Sequence, residues 1–149
     1  MQPLPNDSLI HVVNWSDPVV ERSGYRVDDR YVEMFWLPIL GPTATWLLRR
    51  MAGGLFEQPD GYAVDLHDLA HCLGVSYASG KQSPFARALQ RCVMFGVSQQ
   101  VAIVPQHTLA VRTVLPRLSQ RHLSRLSDQL VTAHGQWPQP ADHLTSVDM

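Results

Sequence analysis

Arg87 and Arg91 stand four residues apart with Gln90 between them, in a segment whose apolar residues Phe85, Ala88, Leu89, Cys92 and Val93 recur at helical spacing. On such a helix the two arginines share a face. An arginine fork can take guanine O6 and N7, and a glutamine can take adenine N6 and N7. Lys81, Gln82 and Ser83 come just before the helix, where backbone N–H groups and the helix dipole favour a phosphate. A solvated helix face would use the same residue types, so the distribution of charge along the chain carries the weight.

The 149 residues hold twelve Lys and Arg against thirteen Asp and Glu, a net charge of −1. Residues 1–68 carry five basic and ten acidic side chains, and residues 128–149 carry three acids and no base. Residues 69–127 carry Lys81, Arg87, Arg91, Arg112, Arg117, Arg121 and Arg125 and no acid at all. A basic face on an otherwise neutral protein is what polyanion binding requires. Arg117, Arg121 and Arg125 recur every four residues and read as a second basic ridge or as a solvated helix face.

Other chemistry is thinly represented. His67 and His71 are four apart with Cys72 beside them and Asp68 near, a spacing that two imidazoles can use to share Zn²⁺. No second pair completes such a site, so no metal and no cofactor is expected. A Gly-rich phosphate loop, a nucleophile elbow, an H-E-x-x-H helix and a C-x-x-C pair are all missing. The seven histidines make no Ser/His/Asp spacing, and the chain does not read as an enzyme. Cys92 falls on an apolar stripe and reads as a core thiol. Two cysteines and no signal-like N-terminus point to reduced thiols in the cytoplasm, and no apolar run reaches membrane-spanning length.

The elements that must position these residues read as one domain with tails. Residues 1–27, with Pro3, Pro5 and Pro18, read as an extended N-terminal arm holding a short strand near 10–15, with Trp15 docked on the core. Asp28-Asp29 open a helix over 28–40. Pro42 opens another, which Gly53-Gly54 should stop. Residues 61–64 read as a strand, and Asp65 caps a helix closed by Gly74. After the helix that follows Ser83, residues 97–104 and 108–114 read as a hairpin with its turn at Pro105-Gln106-His107. Ser119 and Ser127 can each cap a short C-terminal helix, and 136–149 reads as a flexible tail.

The order helix, strand, helix, helix, hairpin resembles a winged helix-turn-helix domain. "DLHDLAHCLG" (65–74) looks like the positioning helix, with Ala70 at the helix crossing and Gly74 in the turn. "SPFARALQRCVMFGV" (83–97) looks like the recognition helix running into the first wing strand. "FWLPILGPTATWLLRRMA" (35–52) is similar to small actinobacterial winged-helix proteins. The resemblance implies a mainly α fold with a small β-hairpin (α+β): a winged-helix domain over 28–135 with extra N- and C-terminal helices. It implies a sequence-specific DNA-binding protein, a transcriptional regulator or a replication or partition accessory factor. Helix 83–95 would read the major groove of double-stranded DNA through Arg87, Gln90 and Arg91, with Lys81, Gln82 and Ser83 beside it. The hairpin would act as the wing, with His107 and Arg112 on phosphate or minor groove, although its tip carries no Arg or Lys. The alternative is a winged-helix protein–protein interaction module without DNA binding. A homodimer is expected through the helix with Tyr31, Phe35 and Trp36 or through Leu123, Leu126 and Leu130, since one recognition helix reads only a few base pairs.

Overall fold

The computed structural model describes residues 8–77, 83–104 and 106–140. Leu9–Asn14 forms β1, with Ile10 and Val12 buried and their neighbours partly open, the alternation of a strand with one covered face. Asp17 accepts from Val20 N–H and so caps α1 (Pro18–Ser23), which leads into β2 (Tyr25–Arg26). Asp29 Oδ1 accepts from Tyr31 N–H at 2.8 Å where the next helical stretch begins. It runs through a π-helical turn, Val32–Trp36, into α2 (Leu37–Leu40). Pro38 has no N–H to return to Met34, and a wider turn carries such a gap. Gly41, at φ 88°, ends the stretch, and Pro42 opens α3 (Pro42–Glu57).

The paired glycines do not stop α3, which continues to Glu57. Gly54 serves packing instead. A Cβ there would lie 2.5 Å from the ring of Tyr62, whose hydroxyl donates to the Met51 carbonyl at 2.6 Å. Tyr62 belongs to β3 (Tyr62–Asp65). Asp65 then caps α4 (Leu66–Leu73) by accepting from His67 and Asp68 N–H. Gly74 closes α4 at φ 72°, with its N–H on the His71 carbonyl and Val75 N–H on that of Ala70. Ser83 Oγ accepts from Ala86 N–H at 3.1 Å and starts α5 (Pro84–Met94). β4 (Ser98–Ala102) and β5 (Thr108–Val111) form the hairpin. β6 (Val114–Leu115) pairs with β2, and Ser119 and Ser127 cap α6 (Gln120–Leu123) and α7 (Asp128–Gly135).

The expectation of a winged helix-turn-helix, mainly α with one small hairpin, is overturned by the sheet. The fold is α/β, with a four-stranded mixed sheet in the order β3-β1-β5-β4. β1 runs antiparallel to β3 (Ile10 opposite Val64) and parallel to β5 (Val12 opposite Leu109), so it separates the hairpin from the strand that would have paired with it. The segment expected to be an arm therefore holds an interior strand of the sheet. The helix pair differs too. α4 and α5 both pack on α3, and contact between the two of them is sparse, so they do not form the crossed unit that the resemblance implied. The error has a physical origin. Pairing between Val12 and Leu109 spans most of the chain, and no local pattern encodes it.

The helices bury Phe35, Leu47, Leu48, Met51, Phe85 and Cys92 against Val12, Val97 and Val111. At the other end of the core Tyr31 stacks on Tyr25, with centroids 3.7 Å apart. Leu118 N–H donates to the Tyr31 hydroxyl at 2.8 Å, and the hydroxyl lies 2.7 Å from His134 Nε2. The dimer surface expected on Tyr31, Phe35 and Trp36 is closed, because all three are 2% exposed or less inside their own core. Leu126 is buried as well, and Leu123 and Leu130 pack against the same core. No helix among the described residues is long and apolar enough to cross a membrane.

Candidate functional site

Helix α5 separates two surfaces of different chemistry. Phe85, Ala88 and Cys92 anchor it to the core. The Cys92 thiol donates toward the Ala44 carbonyl at 3.6 Å, and burial pushes its pKa up to about 12, so it is no nucleophile.

On one side the acid-free stretch gathers its charge. Arg91 donates from Nε to the Leu40 carbonyl and from Nη2 to the Ile39 carbonyl, both at 2.6 Å. It thus satisfies the open end of α2 and is held at a fixed position. Its guanidinium lies 5.2 Å from the Phe95 ring centroid, and Arg125, from the far side of the sequence, lies 5.6 Å from the same ring. The His122 ring meets Phe95 edge-on at 5.7 Å and Trp36 at 5.6 Å. Burial, then Arg125, then Arg121, hold the His122 pKa below its ordinary value, so both arginines act on this spot. Arg87, exposed and one turn before Arg91, lines with it a cleft of about 360 Å³ over Gly41, Thr43 and Ala44. Among the described residues the ion pairs are Arg26–Asp28, Arg49–Glu33 and Arg112–Asp17, and none takes Arg91, Arg121 or Arg125.

On the other side lies an uncharged groove of about 490 Å³, floored by Ile10, Leu66 and Leu109 and walled by Leu89, Val93 and Met94 of α5. Gln90, Gln100 and His107 stand at its rim, and Gln100 Nε2 lies 3.0 Å from His107 Nδ1.

The expected DNA-contacting residues are thus divided. Arg87 and Arg91 stay together on the basic side, while Gln90 and His107 line the apolar groove. Ser83 uses its hydroxyl as a helix cap. Lys81 and Gln82 lie outside the described residues. Arg112 is committed elsewhere. It donates to Asp17 Oδ2 and to the Gly96 carbonyl, both at 2.9 Å, and covers the Trp15 ring at 3.8 Å. That contact holds the Asp17 carboxyl below the usual range. Arg117 also turns inward, donating to the Tyr25 hydroxyl and the His134 carbonyl. His67 lies against Tyr77, and no three His, Cys, Asp or Glu side chains among the described residues gather as a metal-binding group.

Sequence reading missed Phe95 as the ring on which the two arginines meet. It also missed the groove. The missed signal for the groove was the absence of any charge from residue 92 to residue 111. No protein-family model matches the chain, and no curated protein or solved structure is detectably similar to it.

Proposed function

We propose that this protein binds double-stranded DNA through the phosphate backbone, using Arg87, Arg91, Arg121 and Arg125 as one basic surface. The observation that supports this most is the meeting of Arg91 and Arg125 over Phe95, with both arginines outside the ion pairs found among the described residues. Arg91 and Arg125, held on one ring with no carboxylate in an ion pair to either among the described residues, suit a ligand that supplies negative charge at regular spacing. The reading rests on charge placement and not on a recognition helix. Gln90 sits in the apolar groove, so backbone contact leads and base reading by α5 is secondary. A role as a regulator or as a replication or partition accessory factor would follow from such binding, in the cytoplasm. A second reading, a protein-interaction module that binds no DNA, is favoured by the uncharged groove on the opposite side of α5.

Fluorescence anisotropy on a random duplex, measured from about 50 to 200 mM salt, tests the first reading. The wild type should bind at micromolar concentrations, with log affinity falling linearly in log salt. Arg121→Ala combined with Arg125→Ala should flatten that slope by about 2 and weaken binding about tenfold or more at low salt. Salt-independent or undetectable binding by the wild type overturns the reading and favours the second.

A further inference from the structure

We infer that the free edge of β4, the side chains of Ile103 and Val104 and the groove beside α5 form one face that pairs with the same face of a second copy of this chain. β4 is an edge strand, so one row of its backbone N–H and C=O groups has no partner strand. Natural edges are blunted by shortness, bulges, charge or proline. The β4 edge is five residues long and bulged, but residues 92–104 carry no charge and no proline, and a strand with no charge meets its own twofold copy without repulsion.

The exposed apolar side chains mark the same place. Of the nine large hydrophobic residues more than two-fifths exposed among the described residues, five fall between 93 and 104: Val93, Met94 (70%), Val101, Ile103 (61%) and Val104 (81%). Two of the other four, Trp46 and Phe56, have a guanidinium over the ring, from Arg49 and Arg26. The five at this face have no such cover among the described residues.

Val93 and Met94 wall the groove, while Val101 lies on β4 and Ile103 and Val104 follow it; seating the latter side chains in the groove of the copy would give a closed twofold contact. Antiparallel pairing centred on Gln100 sets Ser98 opposite Ala102 of the copy. It brings Ile103 and Val104 of one copy opposite Val97 and Gly96 of the other, at the end of α5 where Val93 and Met94 open the groove. A bulge between Gln100 and Ala102 keeps the flat part of the edge short, so side chains must supply the rest of the contact. Covering the five side chains hides on the order of 500–600 Å² per copy, close to the smallest specific interfaces at about 1,000 Å² in total, so the dimer should be weak. This proposal is independent of DNA binding, since the basic surface lies on the other side of α5.

Sedimentation velocity on the full chain tests it, from about 5 to 300 μM, the range of a weak interface. The wild type should move from 16.7 kDa toward twice that mass as concentration rises. Ile103→Lys with Val104→Lys should remain monomeric at every concentration, with an unchanged thermal melt because both side chains are already in solvent. Met94→Glu should also be monomeric, and mixing it with the double-lysine variant should restore association by pairing the new charges across the reciprocal contact. A wild type that stays at 16.7 kDa throughout overturns the proposal. So does a double-lysine variant that dimerises like the wild type, or a mixture that stays monomeric.

Discussion

The two sides of α5 are built from the same eleven residues, yet they handle exposed surface in opposite ways. On the basic side Arg91 is anchored at two points, and Arg125 is brought to the same ring from another helix. On the apolar side Val93 and Met94 are left in solvent beside an unpaired strand edge. Backbone carbonyls and an aromatic face pre-organise the first surface, so it is complete within one chain. The second is incomplete, because burying it needs material that one copy does not supply. A helix can therefore be amphipathic in three directions: core, charge and unfilled groove.

The largest effect that would break this contrast is on stability. Arg91→Ala removes two charge-assisted hydrogen bonds and leaves the Ile39 and Leu40 carbonyls open. Such bonds contribute about 1.5–3 kcal/mol each when shielded, so with partial exposure the net loss should be about 2–3 kcal/mol. Arg125→Ala, which loses only a ring contact, should stay within about 0.5 kcal/mol. Chemical denaturation of the two variants checks the difference. Equal effects would mean that Arg91 is no anchor and that both arginines are simply surface charge.

A second comparison sets His122, on the basic side, against His134 in the buried network. His134 is 4% exposed, and burial followed by the Arg117 charge lowers its pKa from 6.5. The Tyr31 hydroxyl, which accepts from Leu118 N–H, lies 2.7 Å from its Nε2. Below pH 6.5 the unfolded chain takes up a proton that the folded ring refuses, so stability is full above that pH and falls as the pH drops through it. His134→Gln should reduce the loss in melting temperature between pH 7 and pH 5. An unchanged pH profile would move the acid sensitivity to His122, whose pKa is lowered in the same direction.

The smallest expected effect is at Gln90. It is exposed at the groove rim, so Gln90→Ala should change thermal stability by less than about 0.5 kcal/mol and leave duplex affinity almost unaltered. A large loss of DNA binding there would restore α5 as a base-reading helix and extend the DNA surface across to the groove.

Much of the local structure was legible in the residues. Asp65, Ser83, Ser119 and Ser127 each cap the helix expected of them, and Gly74 takes the left-handed turn. The acid-free stretch was visible as a run of seven cations, of which Arg112 and Arg117 turn to partners within the protein. Which of those charges would face solvent was not legible. Nothing local in the sequence sets Arg112 apart, but Asp17 and Trp15, reached from ninety-five and ninety-seven residues away, claim it.

Caps, turn glycines and periodic apolar stripes act over four or five residues, so the chain by itself determined where α3, α4, α5, α6 and α7 begin and that a hairpin follows α5. The place of β1 between β3 and β5, the inward turn of Arg117, the meeting of two arginines on Phe95 and the open groove were decided only in the tertiary structure. Each depends on contacts between distant segments, where the winning partner is chosen by how the whole core closes and not by any neighbouring residue.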